Sequence, residues 1–595
     1  MKKVMTTWML LASTMIAVQS CSNEEDEWLN DVYGEIEDAG NENVAPGGGS
    51  GSGSVTAESG DLTTFTISID KTSAEPTTSV EEYFPDEEDN VANNTFDTEV
   101  SITFNGSDAT YTSADGVTLS ANGGHVVANH GETKGVCYVV SGATTNGSLT
   151  IVGSKKYQVR LQGADIVNPD SAALNLLSSK RAFVELASGT SNKLTDGISS
   201  KADHKGALYC KGKLLISGSG SLEVNGYYNN GIHSADYILF SPGCNVYVKS
   251  TANHGIKAND GVFINGGILN VEVSAAAAKG INCESNIVVN GGRTTVITTG
   301  SGAYDSDDRE VKGAAAIKCD STYTQNGGEV RLKSTGAGGK GLKTDYEAYI
   351  NGGSLYVITE GATYSSQGDT ASPKGIKIGT KNVHGLLNIS GGTTMVRTKG
   401  QGGEGIESKG TITISNGTVL VSAYDDAINS AGDMYVKGGD IVAVGTANDG
   451  LDANGNMYLQ GGNIVAFGAG GAESGIDTGE QSRLYIEGGN IFGIGGRIDA
   501  NIGSAQQGIV STSGSVSANS TVSISDGGNT LATFTMPPYN YNNGTIMLST
   551  SGMSNGSSYT LTLGNQTQTV TASSSVSGGM GGGMQPGGGG QPGRR

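Results

Sequence analysis

The chain has 595 residues, of which 95 are Gly, only 10 are Pro and 6% are aromatic. This composition is typical of a repetitive protein rather than of several compact domains. The formal net charge of -22 at pH 7 argues against nucleic acid as a partner and favours cations or cationic faces of a ligand, although acidity is also ordinary for an exported protein.

The first twenty residues have the pattern of a lipoprotein signal peptide. Lys2 and Lys3 precede an apolar run that is too short to span a bilayer, and Cys21 follows it. We predict that Cys21 is lipidated and begins the mature protein. The acidic run at 22–27 resembles the surface-export signal of lipoproteins in Bacteroidetes-type bacteria, so we expect a protein anchored by lipid to the extracellular face of the outer membrane. An ordinary acidic linker is the alternative.

Composition and alternation divide the rest of the chain into segments. Period-two stretches such as Thr64 to Ile69 predict strands. The predicted segments are a flexible acidic and Gly/Ser-rich tether at 21–60, an N-terminal β region or cap at 61–153, a parallel β-helix at 154–510, a C-terminal β domain at 511–573, and a disordered Gly-rich tail at 574–595. We expect the C-terminal domain to cover the open end of the repeats as well.

A three-residue phrase, a small residue followed by Ile or Leu and a polar residue, recurs eleven times between residues 207 and 477. A second phrase, usually x-Gly-Gly, follows 11 residues later, except in the units that start at Gly375 and Gly475. Units of 22 to 25 residues without a helical period fit three short strands. We therefore predict an all-β fold, a right-handed single-stranded parallel β-helix with N- and C-terminal β caps, whose coils stack about 4.8 Å apart. The Ile or Leu faces the interior, and the small residue supplies backbone freedom at a bend.

Two long excursions interrupt the repeats, at 293–315 and at 358–374. Both leave after the same strand, so both project from the same edge of the solenoid. Insertions gathered on one edge commonly mark a binding face, and loops tolerated at low entropic cost are the alternative.

The residues on either side of the small and apolar pair form two polar ladders. Both ladders change from basic to acidic between Lys377 and Glu407. Like charges one coil apart repel by about 1 kcal/mol in water and by more where water is excluded. Bound Ca²⁺ removes that conflict in the acidic half, because it favours carboxylate and amide oxygens; a solvated acidic ladder is the alternative. The candidate calcium ligands are Asp425, Asp426, Asn429, Asn448, Asp449, Asp452, Asn454 and Asp477.

In the basic half the lysines repel one another, and an anionic polymer such as a uronic-acid chain would neutralise that repulsion. The candidate ligand-binding lysines are Lys340, Lys343, Lys374 and Lys377, and a solvated basic ridge is the alternative. Tyr435, Tyr458 and Tyr485 form an outward stripe that can stack on sugar rings, or equally stabilise the solenoid without a ligand.

Two cysteines, Cys283 and Cys319, occupy the same position in consecutive coils. We expect either a disulfide between them or two stacked small apolar side chains. No cysteine or histidine spacing indicates a zinc site.

The segment from Tyr157 to Gly197 carries V-x-L-x-G-x-x-I at 159–166, S-A-A at 171–173 and L-A-S-G-T at 186–190. Together with the Gly-Ile coils, this pattern resembles a family of bacterial exported carbohydrate-binding β-helix proteins over about residues 62 to 565. The resemblance implies a fold related to the calcium-dependent pectate lyases, binding of cellulose and acidic sugar polymers, and Ca²⁺ along the helix; lyase activity is not the family's recognised property.

The chain departs from the family pattern at several positions. Ala316 and Ala427 replace Gly, and Lys or His stands where many members have Asp in the N-terminal coils. These departures restrict the calcium expectation to residues from Asp425 onward.

We therefore predict a monomeric cell-surface lipoprotein that binds polysaccharide, such as polygalacturonate and also cellulose, and has no catalytic residues. One alternative is a calcium-dependent polysaccharide lyase in which Lys377 abstracts the proton next to a uronate. A structural, adhesin-like solenoid is the other alternative.

Overall fold

The computed structural model describes residues 54–55, 62, 64–72, 74–76, 81–198 and 204–576. The predicted signal peptide, Cys21, nearly all of the tether and most of the Gly-rich tail lie outside the described residues. Within the described part the chain is almost entirely β, and its two helices are the short 3-10 turns Glu87–Asp89 and Val91–Asn93. No described helix has the length and apolar character needed to cross a bilayer.

The body is a β-solenoid in which each coil contributes three strands, and each strand pairs in parallel with its counterpart in the next coil. Sheet A, formed by the first strands, contains Gly124–Asn129, Gly147–Val152, Leu174–Leu176, Gly206–Cys210, Asn230–Ser234, Ile256–Ala258, Lys279–Cys283, Ala315–Cys319, Lys340–Thr344, Lys374–Ile378, Glu404–Ser408, Ile428–Ser430, Leu451–Ala453, Ser474–Thr478 and Arg497–Asp499, and begins with the antiparallel strand Thr118–Asn122.

The other two sheets follow the same order of coils. Sheet B contains Ala182–Leu186, Leu214–Gly218, Tyr237–Phe240, Gly261–Ile264, Asn286–Val289, Thr322–Gln325, Glu347–Ile350, Leu386–Ile389, Thr411–Ile414, Met434–Val436, Met457–Leu459, Leu484–Ile486 and Ile502–Ala505. Sheet C contains Ser191–Asp196, Ser221–Gly226, Asn245–Ser250, Ile268–Val273, Arg293–Thr298, Glu329–Ser334, Ser354–Thr359, Thr393–Thr398, Thr418–Ala423, Asp440–Gly445, Asn463–Phe467 and Asn490–Gly495.

The parallel ladders begin before the boundary predicted at residue 154. The long strands Thr98–Gly106, Val136–Thr144 and Tyr157–Asn168 pair in parallel with one another, and the last pairs with the first strands of both sheet B and sheet C. The antiparallel strand Asp108–Tyr111 pairs with the first of them. Much of the segment predicted as a separate N-terminal β region therefore belongs to the solenoid.

The repeated Ile or Leu lies in the core, as predicted. Every member of this column is between 0% and 2% exposed; the column is Leu208, Ile232, Ile256, Ile281, Ile317, Leu342, Ile376, Ile406, Ile428, Leu451 and Ile476. Burying each such side chain is worth about 1.5–3 kcal/mol, so the column stabilises a chain that has few aromatic residues.

The small residue before each Ile or Leu is required for a different reason than predicted. Gly341 and Gly405 do not have positive φ, but a Cβ at either would collide with the Cγ1 of a sheet C valine, Val357 or Val421. Positive φ occurs instead in the x-Gly-Gly phrase, as at Gly267, where φ is 80°. The first glycine therefore permits close packing of sheets A and C, and the second makes the turn.

The first residue of many x-Gly-Gly phrases joins the coils through a side-chain ladder. Asn290 Nδ2 donates to Asn265 Oδ1 at 3.0 Å, and Asn326 Nδ2 donates to Asn290 Oδ1 at 2.9 Å. Asn351 and Ser390 continue the ladder. Each amide is both donor and acceptor, so the ladder satisfies polar groups at the corner between sheets B and C.

Before the first long strand, the described residues among 62, 64–72, 74–76 and 81–96 form a strap along the outside of the solenoid. Phe65 packs near Tyr356, and the Glu75 carboxylate accepts the Gly243 N–H at 2.8 Å. Asp89, which is buried, accepts the Arg181 Nε–H at 2.8 Å. The strand predicted from Thr64 to Ile69 has no ladder partner, because this segment contacts the body through side chains and isolated backbone groups.

The C-terminal strands form two separate structures. Ile509–Val516 and Tyr541–Ser549 form an antiparallel pair, and the second also pairs with the last strand of sheet C, so they close this edge of the solenoid. A separate sheet packs against the outer surface of late sheet C strands through a second buried apolar cluster. That sheet contains Ser54–Val55, Asn529–Thr535, Thr521–Asp526, Ser558–Leu563 and Gln566–Thr571.

Candidate functional site

The outward residues of sheet A form the ladder that the sequence predicted. Register pairs join each member to the next, and the ladder is Tyr209, His233, Lys257, Asn282, Lys318, Lys343, Lys377, Glu407, Asn429, Asp452 and Asp477. The second ladder passes from Lys340 to Lys374 and on to Glu404 in the same way. Because the repeated phrase marks the same position in coils of different length, both columns could be predicted from the sequence alone.

The basic half of this surface, which we call the lysine face, is formed by Lys279, Lys318, Lys340, Lys343, Lys374 and Lys377. Asp345 lies between two of these residues, 3.1 Å from Lys343 Nζ and 3.5 Å from Lys318 Nζ. Lys279 and Lys340 form no ion pair with any described residue and donate instead to the backbone oxygens of Ala277 and Gly338. The lysine face therefore contains two ammonium groups that form no ion pair within the described part of the chain.

The environment of these two ammonium groups disfavours their charge. Burial and the neighbouring lysines Lys377 and Lys343 lower the pKa of Lys340 to about 7. Burial and the charges of Lys343 and Lys318 lower the pKa of Lys279 to about 8. An anion bound nearby would favour the charged forms.

The two sequence excursions form hairpins at the corner between sheets C and A. Their strands are Ala303–Asp305 with Glu310–Lys312, and Tyr364–Ser366 with Asp369–Ala371. The hairpins contact each other, since the Val311 N–H donates to Asp369 Oδ2 at 2.6 Å. Tyr364 also packs against Gly302 and Gly338. They form one wall beside the lysine face, on the edge that the sequence predicted.

A shorter insertion lies at the opposite border of the lysine face. The unit that starts at Gly375 has 16 residues rather than 11 before its glycine pair, and the extra residues form a turn over 379–385 at the corner between sheets A and B. Thr380 and Val383 close the turn with reciprocal backbone hydrogen bonds of 3.0 and 3.4 Å. Its Lys381 and His384 are exposed. The irregular spacing was the sequence signal for this wall, although sequence reasoning did not use it.

The border between the basic and acidic halves is a buried ion-pair network. Lys374 Nζ is 2.6 Å from Glu404 Oε1 and 3.6 Å from Glu407 Oε1, and Lys377 Nζ is 3.2 Å from Glu407 Oε2. Burial favours protonation of Glu407, but Lys374, Lys377 and Lys409 outweigh it and hold the pKa of this carboxyl low. Two of the four predicted ligand-binding lysines, Lys374 and Lys377, are therefore also structural partners.

The acidic half contains carboxylates in adjacent coils. Asp452 is the register partner of Asp477, and the pKa of Asp452 is raised to about 8 by burial and by nearby aspartates. Burial and Asp477 raise the pKa of Asp449 to about 7, while burial and Asp499 raise the pKa of Asp477 to about 6. The structure thus brings these three predicted calcium ligands close enough to repel one another.

The remaining predicted calcium ligands are engaged differently. Asp426 accepts from Asn429 Nδ2 at 2.9 Å and from the Asp449 N–H at 3.0 Å. Asp425 accepts from Asn448 Nδ2 at 3.0 Å, and Asn454 is exposed. Within the described ranges no three His, Cys, Asp or Glu side chains converge on a common point suited to a metal ion. Carboxylate and amide oxygens are donors that suit a hard cation. Asp452 and Asp477 are register partners in adjacent coils, so they are the two carboxylates best placed to share an ion.

The three predicted tyrosines form a stack on sheet B. The ring centroids of Tyr435 and Tyr458 are 4.7 Å apart, and those of Tyr458 and Tyr485 are 4.8 Å apart, with nearly parallel planes. Both faces of Tyr458 and one face each of Tyr435 and Tyr485 are therefore covered by a neighbouring ring. The stack lies on a different sheet and in later coils than the lysine face, so the structure does not bring the two predicted ligand-binding sets together.

The cysteines in consecutive coils are register partners. Cys283 pairs with Cys319 across sheet A, and both are buried free thiols. Burial raises the pKa of Cys319 to about 12. The second of the two expectations, stacked small apolar side chains, describes this arrangement.

Comparisons with known proteins give two similarities to carbohydrate-binding sequences. A family model described as carbohydrate-binding domain-containing protein matches residues 124–277 and 334–447, together less than half of the chain. A protein of Acetivibrio thermocellus with the same description is 31% identical over 126 residues, which are 20% of this chain and 44% of the relative. The chain thus spans less than half the length of this relative.

One solved structure is also similar in part. It is described as the polysaccharide lyase-like protein from C. thermocellum, is 18% identical, and the alignment covers 51% of this chain and 94% of that chain with a TM-score of 0.27. A similarity this low does not bear on the fold described above.

Proposed function

We propose that this chain binds an acidic polysaccharide, such as polygalacturonate, along the lysine face of a right-handed single-stranded β-helix, without catalysis. The observation that carries the proposal is the run of register-paired lysines between two walls. Lys279 and Lys340 there form no ion pair with any of the described residues. The match to a carbohydrate-binding family model over residues 334–447 includes Lys340, Lys343, Lys374 and Lys377 and supports the ligand class.

The repeat explains why a polymer suits this surface better than a small anion. Lys318, Lys343 and Lys377 occupy successive coils, so their ammonium groups recur about every 4.8 Å along the axis. A chain of uronate residues presents carboxylates along its length, and each one that meets an ammonium group forms a charge-assisted contact. Many weak contacts on one chain then add through effective concentration.

Affinity electrophoresis tests this proposal. The protein should be retarded in gels that contain polygalacturonate and less so in gels that contain a neutral polymer such as hydroxyethyl cellulose. Added salt should reduce the retardation, because exposed charges are screened. Equal mobility in all gels would reject polysaccharide binding and favour the adhesin-like alternative. Stronger retention by the cellulose derivative would indicate that the ligand is a neutral glycan.

We also propose calcium binding in the acidic half, supported by the raised pKa values of Asp452 and Asp477 and by the buried Asp477 Oδ1, which lacks a hydrogen-bond partner. Asp449 and amide or backbone oxygens would complete the ligand set, and the ion would neutralise the repulsion. Calorimetry should detect Ca²⁺ binding that Asp452→Asn weakens and that Asn416→Ala, an exposed asparagine outside the candidate ligand set, preserves. Binding unchanged in Asp452→Asn would place calcium elsewhere.

For localisation we propose a lipid anchor at Cys21, which holds the protein at the extracellular face of the outer membrane through the tether at 21–60. The sequence pattern of residues 1–27 supports this proposal. Metabolic labelling with a radioactive fatty acid should mark the wild-type chain and not Cys21→Ala. Surface protease treatment of whole cells would then test which face the protein occupies.

A calcium-dependent lyase is the second candidate. The lowered pKa of Lys340 favours it, because an amine that is neutral near pH 7 can accept a proton. Lys377, the base expected from sequence, is less suited because its ammonium group pairs with Glu407 at 3.2 Å. Incubation with polygalacturonate and Ca²⁺ should give no rise in the ultraviolet absorbance of unsaturated uronides. A rise that Lys340→Gln abolishes would establish the lyase instead.

A further inference from the structure

One tyrosine at the border of the lysine face is unusually exposed. Tyr346 is 52% exposed, although it lies between a sheet A strand and a sheet B strand that are both well packed. It makes no ring contact with another described aromatic side chain, unlike Tyr435, Tyr458 and Tyr485, whose faces cover one another. Both faces of the Tyr346 ring are therefore free of aromatic partners.

The backbone holds Tyr346 in place from both sides. Its N–H donates to Thr344 Oγ1 at 3.3 Å, and its carbonyl oxygen accepts the Leu386 N–H at 3.1 Å. Thr344 is itself fully buried, so this corner is fixed relative to the sheet. An exposed ring on a fixed backbone loses little conformational entropy when a ligand packs on it.

The surroundings of Tyr346 are those of a binding position. Lys343 lies three residues earlier on the outward face of sheet A. Asp345, the immediate neighbour of Tyr346, forms an ion pair with Lys343, in which Oδ1 lies 3.1 Å from Nζ. The turn over 379–385 belongs to the next coil and rises at the same corner. The ring thus lies between the charged ladder and the shorter of the two walls.

We propose that Tyr346 is the stacking platform of the lysine face, where the apolar C–H face of one sugar ring packs on the tyrosine while its carboxylate reaches Lys343. The inference rests on the proposed polysaccharide binding and names the residue that recognises the ring rather than its charge. It also replaces the self-stacked tyrosines of sheet B as the aromatic part of the ligand surface. An acidic polymer without sugar rings would use the lysines and not Tyr346.

Chemical modification tests this position in the unaltered protein. Nitration with tetranitromethane, read by mass spectrometry of peptides, should decrease at Tyr346 when polygalacturonate oligomers are bound. Tyr111, which is 42% exposed on the hairpin at the far end, is the internal control and should react equally in both samples. Equal nitration of Tyr346 with saturating oligomer would overturn the proposal.

Variants separate this inference from the function on which it rests. Tyr346→Ala should weaken binding of polygalacturonate about tenfold and leave binding of polyglutamate unchanged, because only the sugar has a ring to stack. Tyr346→Phe should bind as the wild type does, and Tyr111→Ala is the matched control. If Tyr346→Ala binds normally while Lys343→Gln loses affinity, the stacking proposal fails and the lysine face stands. If the wild type binds no acidic polysaccharide, both fail.

Discussion

Lys377 and Glu407 are register partners in adjacent coils of sheet A, and Lys377 Nζ lies 3.2 Å from Glu407 Oε2. This pair is the point at which an outward column of like residues reverses its charge. The two residues before Lys377 in the column, Lys318 and Lys343, also present ammonium groups, and C-terminal of Glu407 the column presents amides and carboxylates. One regular surface therefore has two neighbouring regions of opposite charge.

Removing one partner from the network at this border should be strongly destabilising. Lys374 is 7% exposed and contacts both Glu404 and Glu407. Lys374→Met would leave buried carboxylates with less compensation, so we expect a loss of about 3–5 kcal/mol in the free energy of unfolding. Lys399→Met, which removes an exposed pair with Glu360, should cost about 1 kcal/mol or less. If chemical denaturation gives equal losses in the free energy of unfolding for the two variants, the buried network contributes no more than an exposed ion pair.

The acidic half should make stability fall as pH rises. The folded-state pKa values of Asp477, Asp449 and Asp452, about 6, 7 and 8, exceed the usual 3.8. The folded state therefore holds more protons than the unfolded state between about pH 4 and 8, and stability decreases with pH across that window. In calcium-free buffer, Asp452→Asn should raise the melting temperature at pH 8 and change it little at pH 5. A melting temperature of Asp452→Asn at pH 8 that does not exceed the wild-type value would contradict this account.

The asparagine ladder should contribute measurably to the stacking of coils. Asn290 is 2% exposed and bonds to the amides of Asn265 and Asn326. Asn290→Ala removes both of these bonds and leaves Asn326 Nδ2 without its acceptor at a buried corner, so we expect a loss of about 2 kcal/mol. The exposed Asn454→Ala serves as control and should change stability by less than about 0.5 kcal/mol. Urea denaturation of the three proteins gives the comparison.

The positions of side chains on the regular coils could be predicted from the sequence, because the 11-residue spacing of the two repeated phrases and the period of two fix both register and face. The buried Ile or Leu and the reversal of charge after Lys377 follow from these two numbers. The role predicted for the small residue was wrong. A tight bend and a close contact between sheets both favour a residue without a Cβ, and the sequence does not distinguish them. The φ angles of Gly341 and Gly405, which are not positive, show that the close contact is the reason.

Contacts outside the repeat could not be predicted in the same way. The strap reaches distant coils, as where Arg397 Nη1 donates to the carbonyl oxygen of Phe65, 332 residues earlier. The two hairpins meet through Val311 and Asp369. No repeated pattern in the sequence marks either contact, because irregular segments pack by shape and by single hydrogen bonds. The edge from which the hairpins project was predictable, but the wall that they form together was not.

Binding of an acidic polymer should strengthen as pH falls from 8 to 6. Lys340 has a pKa lowered to about 7, so it gains its charge in this interval and then attracts carboxylates. Lys340→Gln should flatten the pH dependence of the dissociation constant, measured by calorimetry in one salt concentration. His384→Gln, at the opposite border, is the control and should retain the wild-type profile. A flat wild-type profile would mean that Lys340 does not contact the ligand.

The most direct test of the lysine face compares two double variants in polygalacturonate affinity gels. Lys343→Gln with Lys377→Gln removes two charges from this surface, and Lys249→Gln with Lys437→Gln removes two exposed charges from sheet C and from the turn after sheet B. Both change the net charge equally. We expect the first to lose at least tenfold in affinity and the second to bind within about twofold of the wild type. Equal losses in the two variants would contradict a ligand site on the lysine face.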